Sequence, residues 1–87
     1  MNVIDRNNVR ISGHGPQTLV LAHGFGCDQH MWRFVAPTFE RDHRVVLFDY
    51  VGAGRSQLSA YDPQRYATLD GYARDLSEVI DAAGAAQ

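Results

Sequence analysis

Two glycine turns are the parts of this 87-residue chain whose residue types could do chemistry. The first turn consists of His23, Gly24, Phe25 and Gly26. Glycine on both sides of Phe25 lets the backbone turn sharply and direct an N–H group outward. An acyl-transfer enzyme needs such donors where negative charge develops on the carbonyl oxygen of its substrate. The tetrapeptide alone also fits an ordinary strand-to-helix turn. The residues that follow it, 27–29 and Trp32, favour the interpretation as an oxyanion-binding turn.

The second glycine turn follows the apolar run at residues 45–48. Asp49 ends that run, and Gly52 and Gly54 permit a tight return of the chain. A dinucleotide site of the Rossmann type would need a third glycine and a long helix directly after the turn. The sequence lacks the third glycine, and residues 58–63 continue as a loop. The pattern therefore disfavours nucleotide binding.

A catalytic triad built from His23, Asp49 and Ser56 is a tempting alternative. Ser56, however, lacks the strained strand-to-helix elbow that exposes a nucleophilic serine. We interpret Ser56 as a hydrogen-bonded turn residue and His23 as a residue that shapes its loop. The sequence contains no Gly-x-Ser-x-Gly turn, so none of the residues of a serine triad is identified in it.

Metal and cofactor chemistry are also disfavoured. Cys27, Asp28 and His30 lie close together in sequence, but their spacing matches no common zinc pattern. The chain contains no lysine, which excludes Schiff-base chemistry and a Walker-type phosphate loop. Cys27 is the only cysteine, so no intrachain disulfide is expected. The sequence predicts neither a cofactor nor a metal site.

The elements that would position the two turns are short. Residues 18–22 and 44–48 are almost wholly apolar, as in strands that are buried on both faces. A helical segment lies between them, in which Asp28 is a plausible N-cap and Pro37 divides the segment into two pieces. Asn7 and Asn8 separate short apolar runs and predict an N-terminal hairpin.

The last predicted helix follows Thr68, a suitable N-cap residue, and ends near Gly84. Apolar residues recur in this segment at the i, i+3, i+4, i+7 spacing of an amphipathic helix. The strand–helix–strand order requires a parallel pair joined by a right-handed crossover. The sequence thus predicts a single α/β domain over residues 1–87, with both glycine turns at the sheet edge where such folds bind ligands.

Composition limits the partners of the chain. The formal net charge is −2 and no basic face stands out, so nucleic acid is not an expected partner. The longest apolar runs have four or five residues, far fewer than a membrane span needs. Charged residues appear within the first six positions, which excludes a signal-peptide core there. These features predict a cytoplasmic protein with no membrane partner.

These motifs resemble one branch of the α/β-hydrolase superfamily, which contains the bacterial stress-response hydrolase RsbQ and the plant karrikin and strigolactone receptors. The resemblance covers essentially the whole chain. Val51 is a marker of the branch, because general α/β-hydrolases carry arginine at that position. The matching residues are 23–29, Trp32, 42–54, Tyr61, Asp62, Arg65, Tyr66, 68–73 and Asp75.

The resemblance implies a serine hydrolase that acts on small apolar molecules with a carbonyl or ester group. It assigns the backbone N–H of Phe25 to the oxyanion hole, and it implies a signalling phosphatase as partner in a stress response. The family places its nucleophilic serine, acid, histidine and lid helices beyond Gln87. The chain is therefore expected to be the N-terminal part of such a domain and inactive alone.

Three interpretations stay open. The chain could be part of a hydrolase that acts with a missing C-terminal half or a partner chain. It could be a non-catalytic ligand-binding or signalling module, or an engineered half-domain without activity. In the resembled fold, the strand at residues 18–22 pairs with the nucleophile strand. Its bare edge predicts poor stability or self-association.

Overall fold

The computed structural model describes residues 2–24 and 26–84. This part of the chain contains three helices, three strands and two short 3-10 turns. In chain order the elements are α1 (Val3–Arg6), β1 (Arg10–Gly13), β2 (Gln17–Leu21), a 3-10 turn (Gln29–Trp32), α2 (Ala36–Phe39), β3 (His43–Leu47), a 3-10 turn (Leu58–Ala60) and α3 (Leu69–Ala82).

The three strands form one mixed sheet in the order β1-β3-β2. β2 runs parallel to β3, with Leu19 opposite Val45, whereas β1 runs antiparallel to β3. The central strand is the most buried, since Val45 and Val46 have no exposed surface. This arrangement confirms the predicted α/β fold and the parallel strand–helix–strand unit.

The predicted N-terminal hairpin is wrong, because Val3–Arg6 form a helix rather than a strand. Asn2 caps this helix, and its side-chain oxygen accepts a hydrogen bond from the Asp5 N–H at 2.8 Å. Asn7 then bonds to Asp49, just after β3: its carbonyl accepts from the Asp49 N–H at 2.7 Å and its side chain donates to the Asp49 carbonyl at 2.9 Å. The asparagines therefore join α1 to β3 instead of closing a hairpin.

The two predicted helical segments are confirmed. Asp28 caps the first 3-10 turn by accepting from the His30 N–H at 2.8 Å, and Pro37 lies in the first turn of the separate helix α2. Thr68 caps α3 by accepting from the Asp70 N–H at 3.3 Å. Gly84 follows α3 with a φ of +70°, the left-handed conformation that commonly ends a helix.

One face of α3 packs on the sheet and closes the hydrophobic core. The fully buried centre of that core consists of Val46, Phe48, Val79 and Ala83. The C-terminal half of α3 is thereby fixed against the end of β3. Its N-terminal half extends past the sheet toward the loops that follow the strands, where the candidate site lies.

Candidate functional site

A groove of about 1130 Å³ opens beyond the carboxyl ends of the two parallel strands. The first glycine turn contributes Gly24 and Gly26 to its lining, and the second contributes the segment from Tyr50 to Gly54. Tyr72 and Leu76 of α3 line the side of the groove that faces the turns. The structure therefore brings together the two motifs that the sequence placed at one sheet edge.

His23 joins the two turns through both nitrogens of its imidazole. Its Nε2 accepts a hydrogen bond from the Tyr50 N–H at 3.0 Å. Its Nδ1 lies 2.9 Å from the Gly24 carbonyl oxygen. Because Nε2 accepts, Nδ1 donates to the Gly24 carbonyl. The side chain is buried and both of its nitrogens are already hydrogen-bonded, so His23 links the two loops and is not available for proton transfer.

The side chain of Asp49 connects the second turn to two other segments by accepting hydrogen bonds. The residue is 1% exposed. Oδ1 accepts from the Gln29 N–H at 2.8 Å, and Oδ2 accepts from the Asn8 side chain and the Arg55 N–H, both at 3.0 Å. Burial by itself raises the pKa of Asp49, but the hydrogen bonds from these three residues outweigh it and hold the pKa below its ordinary value of 3.8. Asp49 is therefore an ionised structural acceptor.

We expect Asp49→Asn to destabilise the chain at neutral pH and to weaken its sensitivity to acid. The asparagine amide places a donor against backbone donors, which costs about 1–3 kcal/mol of unfolding free energy. Since the folded pKa is depressed, the Asp49 carboxylate stabilises the fold above pH 3.8, and that contribution is lost as the pH falls through the folded value. Denaturant unfolding at pH 7 and at steps below pH 4 measures both effects.

The exposed Asp81 on α3 provides the control for this experiment. Asp81→Asn removes the same charge from the same chain without touching a buried hydrogen-bond network, so its acid dependence should follow that of the unsubstituted chain. An Asp49→Asn variant that loses stability in acid as steeply as Asp81→Asn would contradict the assignment.

The glycines of the second turn are required for two different reasons. Gly52 has a φ of +94°, but a Cβ there would meet no atom within 4 Å, so only its backbone conformation favours glycine. Gly54 has a φ of +51°, and a Cβ there would lie 2.5 Å from Asp49 Oδ2 and 2.9 Å from the Asp28 Cβ. The second turn therefore closes tightly over Asp49 because position 54 has no side chain.

The first turn depends on only one of its two glycines. Gly26 has a φ of +79°, whereas Gly24 is not among the residues with positive φ, and a Cβ there would meet no atom within 4 Å. The Cys27 N–H donates to the Gly24 carbonyl at 3.1 Å and closes the turn. Phe25, the predicted oxyanion donor, lies outside the described residues, so its role stays a prediction.

Ser56 is a turn residue, as predicted. Its hydroxyl donates to the Ala53 carbonyl at 2.7 Å and accepts from the Gly52 N–H at 3.1 Å.

Over residues 2–24 and 26–84, no group of three or more histidine, cysteine or acidic side chains could hold a metal ion. No helix in the same ranges has the length and apolar character needed to cross a bilayer.

The sequence interpretation missed a buried charged cluster beside the groove. Asp75 has no exposed surface and contacts Arg6, Arg65 and the hydroxyl of Tyr66. One signal was available in the sequence: Asp75 lies three residues after Tyr72, on the apolar stripe of α3, where an acidic residue is expensive to bury unless it is paired.

Comparisons with known proteins agree with this geometry. Residues 17–87 match the family model described as the alpha/beta hydrolase fold. The karrikin insensitive 2 receptor CA of Petunia hybrida is 46% identical over 79 residues, which are 91% of this chain and 29% of the receptor. The strigolactone esterase RMS3 of Pisum sativum is also 46% identical over 79 residues, covering 91% of this chain and 30% of the esterase.

A solved hydrolase from Oleispira antarctica is 51% identical and superimposes with a TM-score of 0.86, covering 90% of this chain and 29% of the hydrolase. The chain belongs to the alpha/beta hydrolase fold family. Within that family it is related to the strigolactone and karrikin receptor esterases, which confirms the resemblance to the plant receptors. It spans less than a third of the length of each of these relatives.

Proposed function

We propose that this chain supplies the oxyanion side of the active site of an RsbQ-like serine hydrolase, with a small apolar ester or carbonyl compound as substrate. The observation that carries the proposal is the groove between the two glycine turns, at the carboxyl ends of β2 and β3. The side chains that reach this groove from α3 include Leu69, Tyr72 and Leu76, which suit an apolar ligand.

The oxyanion donor in this proposal is the backbone N–H of Phe25. Support comes from its neighbours, because Gly26 adopts a left-handed conformation and His23 ties the turn to the second loop. A donor held rigidly in such a turn needs no reorganisation when charge develops on the substrate, which is how oxyanion holes accelerate acyl transfer.

The nucleophile, acid and histidine must come from outside these 87 residues, which contain no Gly-x-Ser-x-Gly turn. The order β1-β3-β2 gives β2 a single strand neighbour within the described part of the chain. Pairing of that free edge with a further strand, from a longer chain or from a partner chain, would bring a nucleophile to the groove. The alternative is that two copies of the chain associate through the same edge of β2.

The cellular role in this proposal is stress signalling in the cytoplasm with a phosphatase partner, and its support is the resemblance of the sequence motifs to the RsbQ branch. A non-catalytic ligand-binding module is the second candidate function. It is favoured by relatives that are named as receptors, such as the karrikin insensitive 2 receptor CA. Both functions use the same groove, and turnover of the ligand distinguishes them.

A chimera tests the proposal. Residues 1–87 replace the matching segment of the Oleispira antarctica hydrolase, which is 51% identical to this chain. We expect the chimera to react with a fluorophosphonate probe and to hydrolyse the 4-nitrophenyl esters that the parent accepts, within about tenfold of the parent rate. The isolated chain should do neither, because oxyanion donors without a nucleophile leave little catalysis.

The parent hydrolase is the positive control, and Ser56→Ala in the isolated chain is the check on local chemistry. Turnover by the isolated chain that Ser56→Ala abolishes would refute the assignment of the nucleophile to another segment. A folded chimera that binds esters without reacting with the probe would favour the receptor function.

A further inference from the structure

A charge-balanced cluster, centred on the buried Asp75, lies beside the aromatic lining of the groove. Asp75 Oδ1 lies 2.5 Å from Arg65 Nη2 and 3.2 Å from Arg6 Nη2. The same two arginines contact Glu78, whose Oε1 is 2.8 Å from Arg6 Nη1 and 3.3 Å from Arg65 Nη2. A fully buried carboxylate persists only when it is paired, so this cluster fixes the positions of its members.

Tyr66 connects the cluster to the aromatic side chains. Its hydroxyl donates to Asp75 Oδ2 at 2.5 Å, and the Arg65 guanidinium lies 5.8 Å from the centre of its ring. Burial raises the pKa of the Tyr66 phenol, and the hydrogen bond to Asp75 raises it further, so the hydroxyl stays a proton donor. The ring is thus held at its tip by a carboxylate and near its face by a cation.

The ring of Tyr66 in turn supports two tyrosines that line the groove. Tyr61 stacks on it, with centroids 5.7 Å apart and an interplanar angle of 16°. Tyr72 packs against it at 4.8 Å, and Tyr72 continues to Tyr50 at 5.9 Å. Tyr61, Tyr72 and Tyr50 all line the groove, whereas Tyr66 does not.

Gly71 allows this close arrangement. A Cβ at Gly71 would collide with the Arg65 carbonyl oxygen and lie 3.2 Å from Cδ1 of the Tyr66 ring. The first turn of α3 can therefore approach the loop that carries Arg65 and Tyr66 only because position 71 has no side chain. Position 71 and the ion cluster constrain the same ring from two directions.

We propose that Asp75 is a positioning residue that acts through Tyr66 to set the Tyr61 and Tyr72 rings in the groove, and that it thereby tunes the affinity for small aromatic esters. This inference rests on the proposed function in one respect, namely that the groove is the ligand site. Asp75 has two kinds of contact. Its ion pairs with Arg6 and Arg65 hold α1 and the loop before α3 against α3, whereas its hydrogen bond with the Tyr66 hydroxyl fixes the ring that packs on the groove tyrosines.

The experiment compares Tyr66→Phe, Asp75→Asn, the double variant and the control Glu78→Gln in the 87-residue chain. Glu78 contacts the same arginines but is not bonded to Tyr66. The ¹H–¹³C ring resonances of Tyr61 and Tyr72 report their positions, and a titration with methyl benzoate followed by NMR reports affinity. Tyr66→Phe should shift both sets of ring resonances and weaken binding about 3–10-fold, less than the about 10–150-fold equivalent of a hydrogen bond to a charged group, because the bond acts on the groove only through the Tyr66 ring.

The double variant decides whether Asp75 acts through Tyr66. If it does, Asp75→Asn should weaken binding no further in the Tyr66→Phe background, whereas independent roles would add. Glu78→Gln should leave the ring resonances and the affinity within about twofold of the unsubstituted chain. Unchanged tyrosine resonances in Tyr66→Phe, or additive losses in the double variant, would overturn the proposal.

Two further outcomes are informative. If Asp75→Asn does not fold, the comparison of Tyr66→Phe with Glu78→Gln decides alone, since neither substitution removes the buried carboxylate. If the unsubstituted chain does not bind methyl benzoate, the affinity part of this inference is overturned, while the ring resonances still decide whether Asp75 and Tyr66 position the aromatic side chains and the chimera still tests the proposed function.

Discussion

Asp75→Ala is expected to lower the unfolding free energy of the chain by about 3–5 kcal/mol, the usual cost of breaking a buried ion pair by removing one partner. The substitution leaves the Arg6 and Arg65 guanidinium groups facing each other without the carboxylate that lies 3.2 Å and 2.5 Å from them. It also deprives the Tyr66 hydroxyl of its acceptor. Since small domains have total stabilities of about 5–15 kcal/mol, the variant should be largely unfolded under mild denaturant.

Urea unfolding followed by circular dichroism measures this loss, and Glu78→Ala is the matched control. Glu78 lies one turn further along α3 and binds the same arginines, but its side chain is 39% exposed. Water therefore replaces its contacts, and the expected cost is below about 1 kcal/mol. Equal losses in the two variants would mean that burial of Asp75 does not determine the strength of the cluster.

Most of the fold was predictable because it depends on local patterns. The apolar spacing of α3, the caps at Thr68 and Asp28, and the parallel pair around the crossover were read from the sequence and confirmed. The prediction of an N-terminal hairpin was wrong for a physical reason. Asn7 and Asn8 suit a tight turn, but both bond to Asp49, which lies more than forty residues away in the sequence. Local turn chemistry carries no information about such a partner.

The site was predictable in its location but not in its contacts. Strand order and glycine spacing placed the two turns at one sheet edge, where the groove lies. The pairing of His23 with the Tyr50 N–H depends on the separation of two loops, which sequence spacing does not define. The role of Asp75 depends on ion pairs with Arg6 and Arg65, which lie in two other segments of the chain. In the sequence, only the position of Asp75 on an apolar stripe indicates that it has a buried partner.

Gly26→Val is expected to reduce kcat by about 10²–10³-fold in the Oleispira chimera, the loss that follows removal of one oxyanion donor. Gly26 has a φ of +79°, a conformation that β-branched residues resist strongly. The turn should therefore reorganise and move the Phe25 N–H away from the substrate oxygen. Because Tyr61, Tyr72 and Leu76 of the groove lining lie in other segments, KM should change less than kcat. Steady-state kinetics on a 4-nitrophenyl ester accepted by the chimera separates the two parameters.

Gly24→Val is the matched control, because it makes the same change on the other side of Phe25. Gly24 does not have a positive φ, and a Cβ there would meet no atom within 4 Å, so this variant should keep kcat within about tenfold of the chimera. Phe25→Ala keeps the main-chain donor and should act mainly on KM. Full kcat in a folded Gly26→Val variant would remove the oxyanion hole from this turn. A loss confined to Gly26→Val would instead assign the donor to the turn and show that only one of its glycines is needed to hold it.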